Sequence, residues 1–115
     1  MNEEALAFLS SPEGRAVLAR LAGADLSDER TLALLTDLRR DLSPELAGAA
    51  LTLARLRERA EAKFSRAGAM FFTPQALEQA SSEVVARWRA RRFAEAGYAR
   101  IADLGCGIGG DALAL

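Results

Sequence analysis

Tyr98-Ala99-Arg100-Ile101-Ala102-Asp103-Leu104, then Gly105-Cys106-Gly107-Ile108-Gly109-Gly110, then Asp111-Ala112-Leu113-Ala114-Leu115 is the stretch on which the reading of this chain turns. Its first seven residues have the look of a short buried strand. The glycines that follow permit positive φ and let a backbone come close to a ligand. A helix opening at Asp111 would turn free N–H groups toward polar or anionic atoms. Strand, Asp-x-Gly-x-Gly-x-Gly, helix is therefore, by its physics, a loop for a nucleotide-type cofactor. Gly105, Gly107 and Gly109 are spaced by two. No Gly-Lys-Ser/Thr follows, which excludes a Walker-type phosphate loop. Cys106 suits the crowded turn by its size, and a nucleophilic role would need a base that no histidine supplies. A chain ending one turn into a helix reads as a fragment of a longer protein.

Upstream of this stretch the grammar is helical, rich in Ala, Leu, Glu and Arg. Ser11-Pro12-Glu13, Ser43-Pro44-Glu45 and Thr73-Pro74-Gln75 each offer a hydroxyl cap followed by a proline that fits the first turn. Ser27-Asp28-Glu29 is a similar start without proline, and Gly23, Gly68 and Gly97 mark stops. The spacing predicts helices over 3–9, 12–22, 28–41, 44–63 and 74–96. Leu32, Leu35, Leu38 and Leu42 recur as one helical face requires, and so do Leu46, Leu53, Leu56 and Ala60. The stripe Leu77, Ala80, Val84, Trp88 is the third such face and places Trp88 in the core. The expected fold is mainly α: an N-terminal helical bundle over 1–67, then, over 68–115, the first strand and glycine loop of a truncated Rossmann-like α/β domain. The boundary is set at the short polar break Ser65-Arg66-Ala67-Gly68.

Composition narrows the class further. The chain has 115 residues, 50% hydrophobic and 27% charged, with mean hydropathy +0.03, which suits a folded globular domain and not a disordered tail. No run approaches the roughly 20 apolar residues that span a bilayer. Met1-Asn2-Glu3-Glu4 lacks the basic start of a signal peptide. One cysteine excludes an internal disulfide framework and makes a reducing cytoplasm the default compartment. The lack of any histidine removes a Ser-His-Asp triad and a His-based metal site.

The net charge of −1 hides a separation. Residues 1–50 carry five basic side chains against nine acidic ones, and residues 51–100 carry ten against five. Such asymmetry suits a polyanionic partner, although solvated helix faces produce it as well. Trp88 and Phe93 flank Arg87, Arg89, Arg91 and Arg92. Arg89 and Arg92, three apart on one helical face, are the candidate nucleic-acid contacts. Arg55, Arg57, Arg59 and Lys63 are expected on a wet helix face.

At Asp103-Leu104-Gly105-Cys106-Gly107-Ile108-Gly109-Gly110-Asp111 the chain resembles motif I of class I S-adenosylmethionine-dependent methyltransferases. The resemblance implies that Gly105, Gly107 and Gly109 line the methionine and ribose portion of S-adenosylmethionine, with Asp103 anchoring the methionine end or ordering the loop. Over 68–115 the chain is similar to bacterial methyltransferases with a THUMP-like domain, related to the trimethylguanosine synthase group that methylates guanine in RNA. Gly68-Ala69-Met70-Phe71-Phe72-Thr73-Pro74 carries that likeness. It implies contact of Phe72 and Thr73, with Phe71, to cofactor or substrate, although two adjacent phenylalanines are also ordinary core residues. The acidic residue after strand 2 and the Asn/Asp-Pro-Pro-aromatic catalytic motif have no counterpart in these residues, so no catalytic residue is assigned.

Two function classes follow. One is the N-terminal part of an S-adenosylmethionine-dependent methyltransferase acting on RNA, the fragment itself inactive and binding the cofactor weakly or not at all. The other is a helical nucleic-acid- or protein-binding module without catalysis. A lone strand over 98–104 would lack hydrogen-bond partners. The end of the chain is therefore expected to pair with a second copy, fold back on the bundle, or turn helical near Asp111 and dock its leucines.

Overall fold

Asn2 and Ser11 open the first two helices, each by taking a backbone N–H that the helix leaves unpaired. In the computed structural model, which describes Met1–Leu115, Asn2 Oδ1 accepts from Ala5 N at 2.8 Å to start α1 (Glu3–Ser10). Ser11 Oγ accepts from Gly14 N at 3.1 Å to start α2 (Pro12–Ala22), whose first residue is the proline the cap pattern predicts. One residue separates these helices, so they pack closely, and Gly14 sits against the end of α1. A Cβ there would lie 2.1 Å from the Phe8 carbonyl oxygen.

The chain divides into two compact units, Met1–Glu58 and Arg59–Leu115. The division precedes the polar break at Ser65–Gly68, because Lys63 and Phe64 bond and pack with residues that follow them. In the first unit the expected helix over 28–41 is shorter. A single 3-10 turn, Asp28–Arg30, leads into α3 (Thr31–Leu38). Leu38 is buried, but Leu32 is 76% exposed, so it leaves the predicted face. Next is α4 (Pro44–Ala60), three residues shorter than the apolar spacing predicts. Its buried set includes Ala47, Ala50, Leu51, Leu53, Ala54 and Leu56, with Leu53 fully enclosed. Arg55 is not a solvated side chain. Its Nε donates to Leu26 O at 2.9 Å, and its Nη2 donates to Ser27 O and to Thr31 Oγ1 at 2.7 Å. One guanidinium thus satisfies the carbonyls of the connection before α3.

The second unit departs most from expectation. The helix foreseen over 74–96 is two helices, α5 (Pro74–Gln79) and α6 (Glu83–Glu95), broken at Ala80–Ser82. Ala80 is extended, and Ser82 Oγ caps the new start by accepting from Val85 N. Lys63 holds the break from outside. Its Nζ donates to the carbonyls of Leu77, Glu78 and Ala80, while its own carbonyl accepts from Glu83 N at 2.8 Å. A cation on carbonyls freed at a helix end satisfies them and complements the dipole. The break also changes the register: Ala86 is 1% exposed and becomes the buried residue of α6, while Val84 and Trp88 face water.

Residues 98–104 form no strand, and the chain contains none, so the Rossmann-like start is not formed here. A single extended segment has no neighbour to complete a ladder, and its N–H and C=O groups do better with water. Leu104 is accordingly 92% exposed, and Ile101 is exposed too. The end of the chain does turn helical, as α7 (Gly110–Ala114), and packs on α6, but its leucines are not docked: Leu113 and Leu115 stay exposed. No helix is long and apolar enough to cross a membrane.

Candidate functional site

Gly97, at φ 77°, ends α6: its N–H donates to Ala94 O, and the chain enters the glycine-rich segment. Gly105, Gly107 and Gly109 then take φ 69°, 57° and 78°. No other residue type has positive φ, so the sign alternates along the loop. An L side chain at any of these positions would be strained by the backbone itself. Gly109 N donates to Cys106 O at 2.9 Å, which tightens the turn before α7. Asp103 and Cys106 are both exposed, and the cysteine is free.

Phe72 and Thr73 each have a partner of their own. Phe72 is buried, its ring 6.0 Å from that of Phe64. The Thr73 hydroxyl is committed to α5, where it accepts from Ala76 N at 3.2 Å. Phe64 is the link that sequence reasoning missed. A Cβ on Gly110 would lie 3.2 Å from Phe64 Cε1, so the end of the loop rests on the ring that Phe72 supports. A phenylalanine 46 positions away carries no local signal for such a contact.

Beside Gly110 lies a cavity of about 140 Å³, walled by Phe64 and Met70, by Glu83 and Arg87 of α6, and by Leu113 of α7. The Glu83 carboxylate accepts from the Ser65 hydroxyl at 2.8 Å, from Ser65 N and from Arg87 Nη2. These bonds, led by the Ser65 hydroxyl and joined by the charges of Arg87 and Arg66, hold it below the usual carboxylate range.

The two candidate arginines part company. Arg89 Nη1 donates to Ser81 Oγ at 2.8 Å and to both oxygens of Asp111, the nearer at 3.2 Å. It is committed to joining α6 and α7. The Arg92 guanidinium lies 5.0 Å from the centroid of Trp88. Trp88, placed in the core by the sequence pattern, is 54% exposed. The reason is the new helix start at Ser82, which puts Trp88 opposite the face that Ala86 and Ala90 turn inward.

No curated protein and no solved structure is significantly similar to this chain. A family model described as a domain of unknown function (DUF8688) matches residues 2–60, just over half of the chain, and the chain belongs to that family.

Proposed function

We propose that the chain carries the cofactor loop of an S-adenosylmethionine-dependent methyltransferase acting on RNA. One observation carries the reading: Gly105, Gly107 and Gly109 alternate with ordinary residues, and all three sit at positive φ. Alternating φ signs turn successive N–H groups toward one side, a concavity suited to anionic or electron-rich atoms. Space beside these glycines is open, since a Cβ at any of them meets nothing within 4 Å. In this reading Gly105, Gly107 and Gly109 face the methionine and ribose portion, and Asp103 serves its charged end. Phe72 acts through support of the loop by Phe64, and Thr73 through the start of α5 that it caps. When bound, the cofactor supplies a methyl group on a sulfonium; these residues position it. Tyr98–Leu104 would be the first strand of a Rossmann-like sheet, formed when neighbouring strands complete its ladder.

A binding module without catalysis is the second reading, favoured by the exposed Trp88 beside Arg92. Calorimetry with S-adenosylmethionine on the protein as its native gene encodes it separates the two. The first reading expects binding, and expects Gly107→Val to weaken it by about tenfold or more while helicity is kept. Unchanged affinity in that variant, or no binding by the wild-type protein, overturns it. RNA binding without cofactor binding selects the second.

A further inference from the structure

The outer face of α6 is built for something other than packing. Ala86 and Ala90 turn inward, and Val84, Trp88, Arg91 and Arg92 turn outward. A half-exposed indole leaves a large apolar surface in water, which is unfavourable unless a ligand covers it. Arg92 already lies over the ring, so the pair presents a planar aromatic group with a cation beside it. Arg91, one residue away, makes no hydrogen bond or ion pair within the chain and is exposed. Residues 84–100 hold five arginines against the single acidic Glu95, a surplus that calls for a polyanion. Two of those arginines are already engaged, Arg87 by Glu83 and Arg89 by Asp111. The available charge is therefore concentrated beside the exposed indole.

We propose that Trp88 and Arg92 form a stacking platform for an unpaired base of a single-stranded nucleic acid, with Arg91 and Arg92 meeting the flanking phosphates. Aromatic rings accept any base that is out of its own stack, and a duplex offers no such face. The proposal reassigns phosphate contact from Arg89, which holds α7, to Arg91. It rests on the RNA part of the reading above and is independent of the cofactor part.

Trp88 is the one tryptophan of the chain, so its fluorescence reports on the platform directly. The full chain is titrated with single-stranded decauridylate, with the same strand paired to decaadenylate, and with inorganic polyphosphate. The single strand should quench Trp88, with affinity falling as salt rises. The duplex and the polyphosphate should leave the emission nearly unchanged. With a dye-labelled decauridylate, Trp88→Ala should weaken binding about 5- to 150-fold. Trp88→Phe should keep most of it, and Arg91→Ala should flatten the salt dependence. Circular dichroism confirms that these surface variants stay folded. Equal quenching by duplex or by polyphosphate overturns the proposal. So does a blue shift with anionic phospholipid vesicles but no response to the single strand. Loss of cofactor binding by the native gene product leaves this platform standing, and absence of quenching with cofactor binding intact removes the platform alone.

Discussion

Arg89 of α6 and Asp111 of α7 lie 22 residues apart in sequence, with Nη1 to Oδ1 at 3.2 Å. This pair and the contact of Gly110 with Phe64 hold the last helix, although the segment before it is exposed. The side chains are 44% and 38% exposed, so water screens the attraction. Such pairs contribute about 0.2–1 kcal/mol. Arg89→Ala should therefore leave global stability nearly unchanged and speed amide exchange in α7, with added salt producing part of the same effect. If exchange in α7 is the same in Arg89→Ala and in Asp111→Asn as in the wild type, apolar contact alone holds it.

Gly14 and Gly48 make a matched pair of tests. At Gly14 a methyl would meet backbone, the Phe8 oxygen at 2.1 Å and Leu9 Cα at 2.6 Å, and neither can step aside. Gly14→Ala should destabilise the first unit by about 3 kcal/mol, the upper range for overpacking. Gly48 is inside α4 and a Cβ there meets nothing within 4 Å. Gly48→Ala should stabilise by about 0.5–1 kcal/mol through helix propensity. Urea denaturation of both variants gives the two signs.

Lys63 serves three carbonyls with one ammonium, those of Leu77, Glu78 and Ala80. Lys63→Met keeps the stem and removes every donor. The second unit should lose about 1–3 kcal/mol, the cost of leaving charged hydrogen bonds unmade. A thermal melt in which Lys63→Met matches the wild type would show that water replaces the ammonium.

Glu83 gives the second unit a pH dependence of definite sign. Its folded pKa lies below the ordinary 4.5, first through the Ser65 hydroxyl and then through Ser65 N and the arginines. A depressed carboxylate adds stability that is complete above its unfolded pKa and disappears as pH falls through the folded value. Stability of the wild type should thus drop in acid below about pH 4.5. Glu83→Gln should flatten that drop, which denaturation at stepped pH measures. Identical acid profiles would assign the drop to other carboxylates.

Much of the helical framework was legible because its signals are local. Ser11-Pro12 and Thr73-Pro74 mark helix starts that the chain uses, since a cap needs only its own next three residues. The break before α6 was also written locally, in Ser81-Ser82-Glu83. It was hidden because Leu77, Ala80, Val84 and Trp88 keep helical spacing straight through it. Lys63, which stands outside that spacing, holds the break by binding the carbonyls it frees.

For the candidate site the division is similar. The glycines at 105, 107 and 109 declare a loop of alternating backbone hand, and the chain adopts it. The partners of that loop were not declared. Phe72 turned inward onto Phe64, and Arg89 turned to Asp111.

By itself the sequence determined the mainly helical class, the first two helix starts, and the left-handed turns of the glycine loop. Each of these depends on backbone preferences and on hydrogen bonds within a few residues. Only tertiary structure decided which face of α6 is wet, that Trp88 is exposed, and that residues 98–104 stay out of a sheet. Those outcomes depend on distant groups: a lysine that holds the carbonyls of a helix end, an aspartate that engages an arginine, and neighbouring strands without which a ladder cannot form.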